Sequence, residues 1–480
     1  MEKLKFLSDD DVKRIHNATL RILNEVGYVW MHKQSLEILT GAGCKVKGNR
    51  VYFPPELVED SIQKAGKRPA IRGRGGVTKT LGDGNLYFHN LGGARDIYDA
   101  KTGGHRIAEM QDVRDSTRLL DALENCNTIT PFFTPQDVPG ELMSLAMYRQ
   151  ALPFTTKPLQ GPGVQYGPET KFAVQMAEVI GNPKEVLTLA LSPVSPLTIP
   201  DHEAEAVIEI ARAGIAFGAL PCPTAGATGP MTISGSIAQQ NAETLAVVIL
   251  AQLVNPGLPI IYCGRLAMME PRLGSSVWGG VELALASAGT VQIGHHYGFP
   301  VNVYGFSTNA HTLDAQDGFE RGINAAIPAL AGADELSGIG EMEAGVMGSY
   351  AQMVLDNELA DSIQRLRRGF SADEDALGVD VIAAIMDGSR NFLGQKHTMK
   401  YLKAGEVQLT KLAERNSWET WERTGRQGMV ERAADKAERI LREHQVEPLE
   451  PQQEKELDKI MAAAEKELVK KRQPGSLLVK

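Results

Sequence analysis

The chain has 480 residues, 43% hydrophobic and 23% charged, with 48 glycines and 25 prolines. That is the composition of an ordinary soluble protein, too long for one minimal domain and suited to a barrel with added segments. A net charge of -9 leaves no basic surplus to neutralise phosphates, which argues against a nucleic-acid partner, while a mildly acidic surface favours cationic ligands. The cysteines (Cys44, Cys126, Cys222, Cys263) are scattered, and the N-terminus has neither a long apolar core nor a small-residue cleavage site. No uninterrupted apolar run is long enough to span a bilayer. The expected location is a reducing cytoplasm, with no membrane partner.

Taken in order, Ser8 opens a helix with Asp9, Asp10 and Asp11 in its first turn, and Ile15, Leu20, Ile22 and Leu23 follow at near-helical spacing. Further helices are predicted over 33–39 and 55–65, so residues 1–85 read as an N-terminal helical segment. A charge-rich stretch over 68–76 breaks the pattern. Short apolar runs then lie at 86–90, 129–133, 158–159, 187–191, 217–221, 259–263, 300–304 and 336–340. Helical periods separate them, at 110–123, 141–151, 170–180, 202–212, 236–254, 277–297 and 314–330, the last capped by Asp314. This alternation predicts an α/β fold, a (β/α)8 TIM-type barrel over 86–370. A doubly wound open sheet is the rival, but no GxGxxG follows the first strand. Beyond Gly369 strand signals stop, and helices are predicted at 373–387, 400–424, 428–445 and 454–471, a C-terminal helical extension over 371–480.

In such barrels chemistry gathers where strands end and helices begin. Phe132 and Phe133 end the second strand, Tyr304 and Phe306 the seventh. Aromatic faces attract a quaternary ammonium, an interaction worth about 2 kcal/mol when desolvated, although core packing accounts for any one of them. Gln160 and Ser192 close the third and fourth runs in turns that turn chemistry explains equally well. Thr224 lies in the loop over 222–230, where small residues let the backbone approach a ligand beside a helix N-terminus, or simply make a tight turn. Tyr262 and Arg265 end the sixth strand. Arg265 suits a substrate carboxylate through two parallel hydrogen bonds, or a pairing with Glu270. Glu341 and Glu343 end the eighth strand. There they favour a cation, or serve as acid or base if their pKa rises; a salt bridge to Arg321 or Arg95 is the alternative. His311 follows the seventh strand on the catalytic face. His295-His296 ends a helix on the opposite face and is rejected as a metal site, and no other group has zinc-ligand spacing.

Two stretches carry a family likeness. One is Gly226-Ala-Thr-Gly-Pro-Met-Thr, with Gln240-Asn241-Ala-Glu243 and Pro256-Gly-Leu-Pro259-Ile-Ile-Tyr. The other is Asp314-Ala-Gln316 with Glu320, then Gly338-Ile-Gly340, Glu343, Gly345, Ser349, Gln352, Asp356 and Glu358. On these the chain resembles the trimethylamine methyltransferase family over nearly its whole length. The resemblance implies a barrel enzyme that passes a methyl group from a methylamine to the cobalt of a separate corrinoid protein. No cofactor is then bound tightly, since a partner presents the cobalamin. Trimethylamine-specific members carry pyrrolysine in the active site, whereas every residue here is standard. The chain is similar instead to the branch without it, the glycine betaine:corrinoid methyltransferases, whose members demethylate quaternary amines such as glycine betaine, proline betaine and carnitine.

On that reading Glu343, Glu341 and His311 are the candidate catalytic residues. Phe132, Phe133, Gln160, Thr224, Tyr262, Arg265, Tyr304, Phe306 and Arg95 are the candidate substrate contacts, with Arg265, Arg95 or His311 receiving a carboxylate. Two alternatives remain open: a barrel lyase or isomerase acting on a small acid without corrinoid, and a non-enzymatic quaternary-amine-binding protein. The C-terminal helices lead us to expect a homo-oligomer.

Overall fold

The structure, a computed structural model, describes residues 3–471 except 162, 164–166, 387 and 389. Six parallel strands form one sheet, in the order Tyr87–Asn90, Glu335–Ile339, Val301–Tyr304, Ile260–Gly264, Ala216–Ala219 and Thr188–Leu191. Isolated parallel bridges join the two edges: His89 pairs with Thr128, Ile129 with Leu159, and Gly163 with Ala190. Backbone bonds follow the same path, from Ile129 N to Pro158 O (2.9 Å), Gln160 N to Ile129 O (2.7 Å) and Gly161 N to Thr188 O (2.9 Å). The ring is therefore closed, and it is the predicted barrel.

The second and third runs form isolated bridges and not ladders because Pro131 and Pro158 interrupt them. A proline has no N–H to give a ladder. The predicted strand over 129–133 accordingly appears as bridges at Thr128, Ile129 and, with Ala94, Phe133.

Helices follow the successive strands: Met110–Ala122, Met143–Ala151, Gly167–Ile180, Asp201–Ala213, Ile233–Val254, Val281–His296, Ala315–Ala331 and Tyr350–Arg368. The last of these completes the alternation and was not among the predicted helices. Asp314 caps Ala315–Ala331 as expected, its side chain accepting from Gln316 N and Asp317 N, and Gly332 ends the helix at φ 99°. Ile233–Val254 is long and apolar enough to cross a membrane by length and mean composition, although polar residues interrupt its apolar run. In this fold 89% of its apolar window is buried, and it carries Gln240, Asn241 and Glu243 inside the protein.

The first 85 residues are not helical throughout. Besides the helices Asp9–Arg21, Lys33–Gly41 and Pro55–Lys64, the strands Tyr28–Trp30, Lys45–Lys47 and Arg50–Tyr52 form a small sheet with Thr198–Ile199. A hairpin of Ala70–Arg72 and Thr78–Thr80 closes the N-terminal end of the barrel. Just beyond it, Leu81 packs on Ile261 and Cys263. Past Gly369 the described residues are helical or irregular. The helix predicted over 400–424 is two helices, Lys396–Lys403 and Trp418–Arg423, because Gly405 turns the chain at φ 76°. The helix predicted over 373–387 is likewise divided, at Gly378, into Glu374–Leu377 and Val379–Met386.

Candidate functional site

Strand residues alternate between the barrel interior and the helical layer. In the register Asn302 sits beside Glu335 and Tyr304 beside Ser337, while Ser337 in turn pairs with His89. These five point inward. Above them, at the C-terminal ends of the strands, lies a cavity of about 520 Å³, within the usual range for small-molecule sites. Asn90, Thr130, Gln160, Ser192, Arg265 and Tyr304 bring polar atoms to its wall from successive strand ends, and Met143 and Met147 supply apolar surface.

Arg265 follows the sixth strand and turns inward, buried. Its Nη1 donates to Gly264 O (3.0 Å) and Asn302 O (3.1 Å), and its Nη2 to Ser337 Oγ (3.0 Å) and to Asn302 Oδ1. The guanidinium lies over the Tyr304 ring, 4.3 Å from its centroid. Among the described residues Arg265 makes no ion pair; Glu270, the alternative partner, bonds Arg272 instead. A buried guanidinium held by neutral acceptors keeps its attraction for an anion.

Below Arg265 the interior stays polar. Asn302 Nδ2 donates to Glu335 Oε2 (2.6 Å), and Lys79 Nζ, from the closing hairpin, donates to Glu335 Oε1 (2.5 Å). Burial works to raise the Glu335 carboxyl, but Lys79 overcomes it and holds the group below its ordinary range. His89, on the cavity wall, has no hydrogen bond to either ring nitrogen among the described residues. Burial pushes its pKa down to about 4, and Lys79 and Arg265 add to this against Glu335.

The acidic candidates part company. Glu341 is buried, with Oε1 accepting from Ser307 Oγ (2.7 Å) and Oε2 without a partner among the described residues. Burial pushes its pKa up to about 8, although Ser307, Arg321 and Arg265 work the other way. Asp356 rises to about 7 for the same reason, against the pull of Arg321. Arg321 itself is bound by Asp317 (2.6 Å) and Asp356 (3.1 Å). Glu343 is half-buried, and its Oε1 lies 3.5 Å from Nδ1 of the exposed His311. Glu343 and Ala344 hold positive φ of 48° and 55°, a strained rim conformation fixed by Glu343 N to Ala310 O and Ala344 N to Thr308 O. None of Glu341, Glu343 and His311 lines the cavity.

Of the substrate-contact candidates, Gln160, Arg265 and Tyr304 are brought together on the cavity wall. Phe132, Phe133, Tyr262 and Phe306 are not. Phe132 fills the space left by Gly340 and Gly348, with Phe133 edge-on to it at 4.6 Å. Tyr262 faces the helical layer, where its hydroxyl donates to Asn241 Oδ1 (2.8 Å). Phe306 packs edge-on against Phe88. Thr224 bonds Ser276 in a small outer sheet. The exposed Arg95 pairs with Asp96 (2.6 Å), and His295 bonds Asp334 (2.8 Å) at the other end of the barrel. Reasoning from the sequence missed His89, Asn302, Glu335 and Ser337. The signal was there: these are polar residues within apolar strands, at positions whose register sets them inside the ring.

A family model described as trimethylamine methyltransferase (MTTB) matches residues 1–469. The chain is 31% identical to trimethylamine methyltransferase MttB of Desulfitobacterium hafniense (strain DSM 10664 / DCB-2), over 92% of this chain and 90% of that one. It is 29% identical to the glycine betaine methyltransferase of Desulfitobacterium hafniense (strain Y51), over 98% of both. Among solved structures, the hydroxylamine complex of MtmB superposes with a TM-score of 0.50 at 12% identity, covering 92% of this chain and 94% of that one; this likeness concerns the fold.

Proposed function

Since this chain belongs to the trimethylamine methyltransferase family and is a methyltransferase, we propose that its methyl donor is a carboxylate-bearing quaternary amine: glycine betaine, or a relative such as proline betaine or carnitine. The acceptor is Co(I) of a cognate corrinoid protein, taken as the second substrate. The observation that carries this reading is Arg265, a buried guanidinium on the cavity wall with no carboxylate partner among the described residues. The standard residues throughout the chain and the glycine betaine methyltransferase among its relatives point the same way.

The chemistry suits the residues present. A quaternary nitrogen already carries its charge, so when the N–CH3 bond breaks its electron pair stays on nitrogen and a neutral tertiary amine leaves. No proton donor is required. The acceptor's electron pair forms the new bond to the methyl carbon. The barrel's work is to bind and orient: Arg265 and Ser337 receive the carboxylate from below, while the cavity walls direct one N-methyl toward the mouth. Glu343 and His311 then contribute polarity at the rim, while the buried Glu341 holds its proton in place beside Ser307.

The test mixes the purified chain with reduced corrinoid protein and a panel of methylated amines, following methyl-Co(III) by absorbance. Formation with a betaine and not with trimethylamine is expected. Turnover without any corrinoid, or binding of a betaine that leaves methyl-cobalt unformed, would contradict the reading.

A further inference from the structure

Why Arg265 has no counter-ion among the described residues is answered one layer deeper in the barrel. Glu335 is the nearest carboxylate along the hydrogen-bonded chain, reached through a single side chain, Asn302. An asparagine amide has one accepting and one donating end. Because Glu335 Oε2 takes the Nδ2 donation, Oδ1 must face the guanidinium. The other oxygen of Glu335 is engaged by Lys79 at 2.5 Å, and all these groups are buried. Lys79 and Glu335 cancel one another, and Arg265 is left as the one uncancelled charge of this ladder.

We propose that Lys79 and Glu335 set the ligand specificity of the cavity: Lys79 occupies Glu335, so that Arg265 keeps its charge for the acidic end of a zwitterionic ligand. Both are positioning residues, since they act through Asn302 and Arg265. The ligand thereby acquires a direction, with its carboxylate down against Arg265 and its ammonium toward the mouth, where the methyl is taken. The same arrangement disfavours a quaternary cation without a carboxylate, which would set its charge above an unneutralised guanidinium. The hairpin that closes the barrel floor is thus part of the recognition apparatus. This inference rests on the betaine reading above.

Titration calorimetry without corrinoid separates the two. Glycine betaine is compared with choline, which keeps the quaternary nitrogen and lacks the carboxylate. Wild type should prefer the betaine. Lys79→Met leaves Glu335 to neutralise Arg265, and should weaken betaine binding at least tenfold while choline binding holds or tightens. Lys79→Met/Glu335→Gln restores the single uncancelled charge, keeps an acceptor for Asn302, and should recover the preference to within about threefold; Lys79→Arg should retain it. A merely structural role predicts equal weakening of both ligands, and that result, or a double variant without recovery, overturns the proposal. Asn302→Asp sets a negative charge against Arg265 without touching the hairpin; should Lys79→Met not fold, retained betaine preference in this variant overturns the charge account. Betaine binding with unchanged ratios in every variant removes this inference alone, whereas a wild type that binds neither ligand removes the betaine reading with it.

Discussion

Glu341 is held between two demands. Its Oε1 is fixed by Ser307, its Oε2 has no partner among the described residues, and burial pushes its pKa from the ordinary 4.5 up to about 8. Between those values the folded protein keeps a proton that the unfolded chain releases, so this group's contribution to stability falls as pH rises through the window. Glu341→Gln preserves the acceptor for Ser307 and removes the titration. Compared at pH 5 and pH 8 by urea unfolding, the variant should gain on wild type by on the order of a few kcal/mol at the higher pH. Parallel profiles would mean that Glu341 does not hold its proton there. Asp356, raised to about 7, continues to titrate in both proteins, so some slope remains in the variant.

What a sequence discloses at this scale depends on where a residue's partners lie. Arg265, Gln160 and Tyr304 were legible because each sits at a strand end beside turn formers. Lys79 was not: it falls in the segment read as lying before the barrel, and its partner Glu335 is 256 positions away. Phe132 shows the opposite effect. It stands at a strand end beside Phe133, yet its ring is consumed by packing against two glycines that only the fold brings near.

Among the elements, that packing gives the sharpest expectation. A Cβ at Gly348 would meet Phe132 Cε1 at 2.2 Å, and one at Gly340 would meet its Cε2 at 2.8 Å. Gly348→Ala therefore forces the ring or the strand to move, and should destabilise the protein by about 1–3 kcal/mol in chemical unfolding. An unchanged midpoint would show that Phe132 has room to turn, and would return its face to consideration as a ligand contact. Strong periodicity with clear punctuation made elements legible: Asp314 caps its helix as the sequence indicated. Prolines in two strands left the count of eight intact but cut their pairing short, since Pro131 and Pro158 leave bridges in place of ladders. Short strands at 28–30, 45–47 and 50–52 went unread because three residues give no period to detect.

For the whole molecule, the alternation of strand and helix was enough to name the barrel, because a parallel ring needs a crossover after every strand. The polar core beneath the cavity was not legible in the same way, since it arises from register among strands far apart in sequence. If Arg265 holds the zwitterion by its carboxylate, the barrel delivers a methyl group from that ligand to an acceptor arriving at the mouth. The most direct test is the stoichiometry of one reaction: glycine betaine, this protein and reduced corrinoid protein, with dimethylglycine and methyl-cobalt quantified together, and Arg265→Met run beside it. Equal amounts of the two products, and a rate reduced at least about tenfold in the variant, as losing a hydrogen-bonded charged contact implies, are predicted. Dimethylglycine without matching methyl-cobalt, or full activity in the variant, would contradict it.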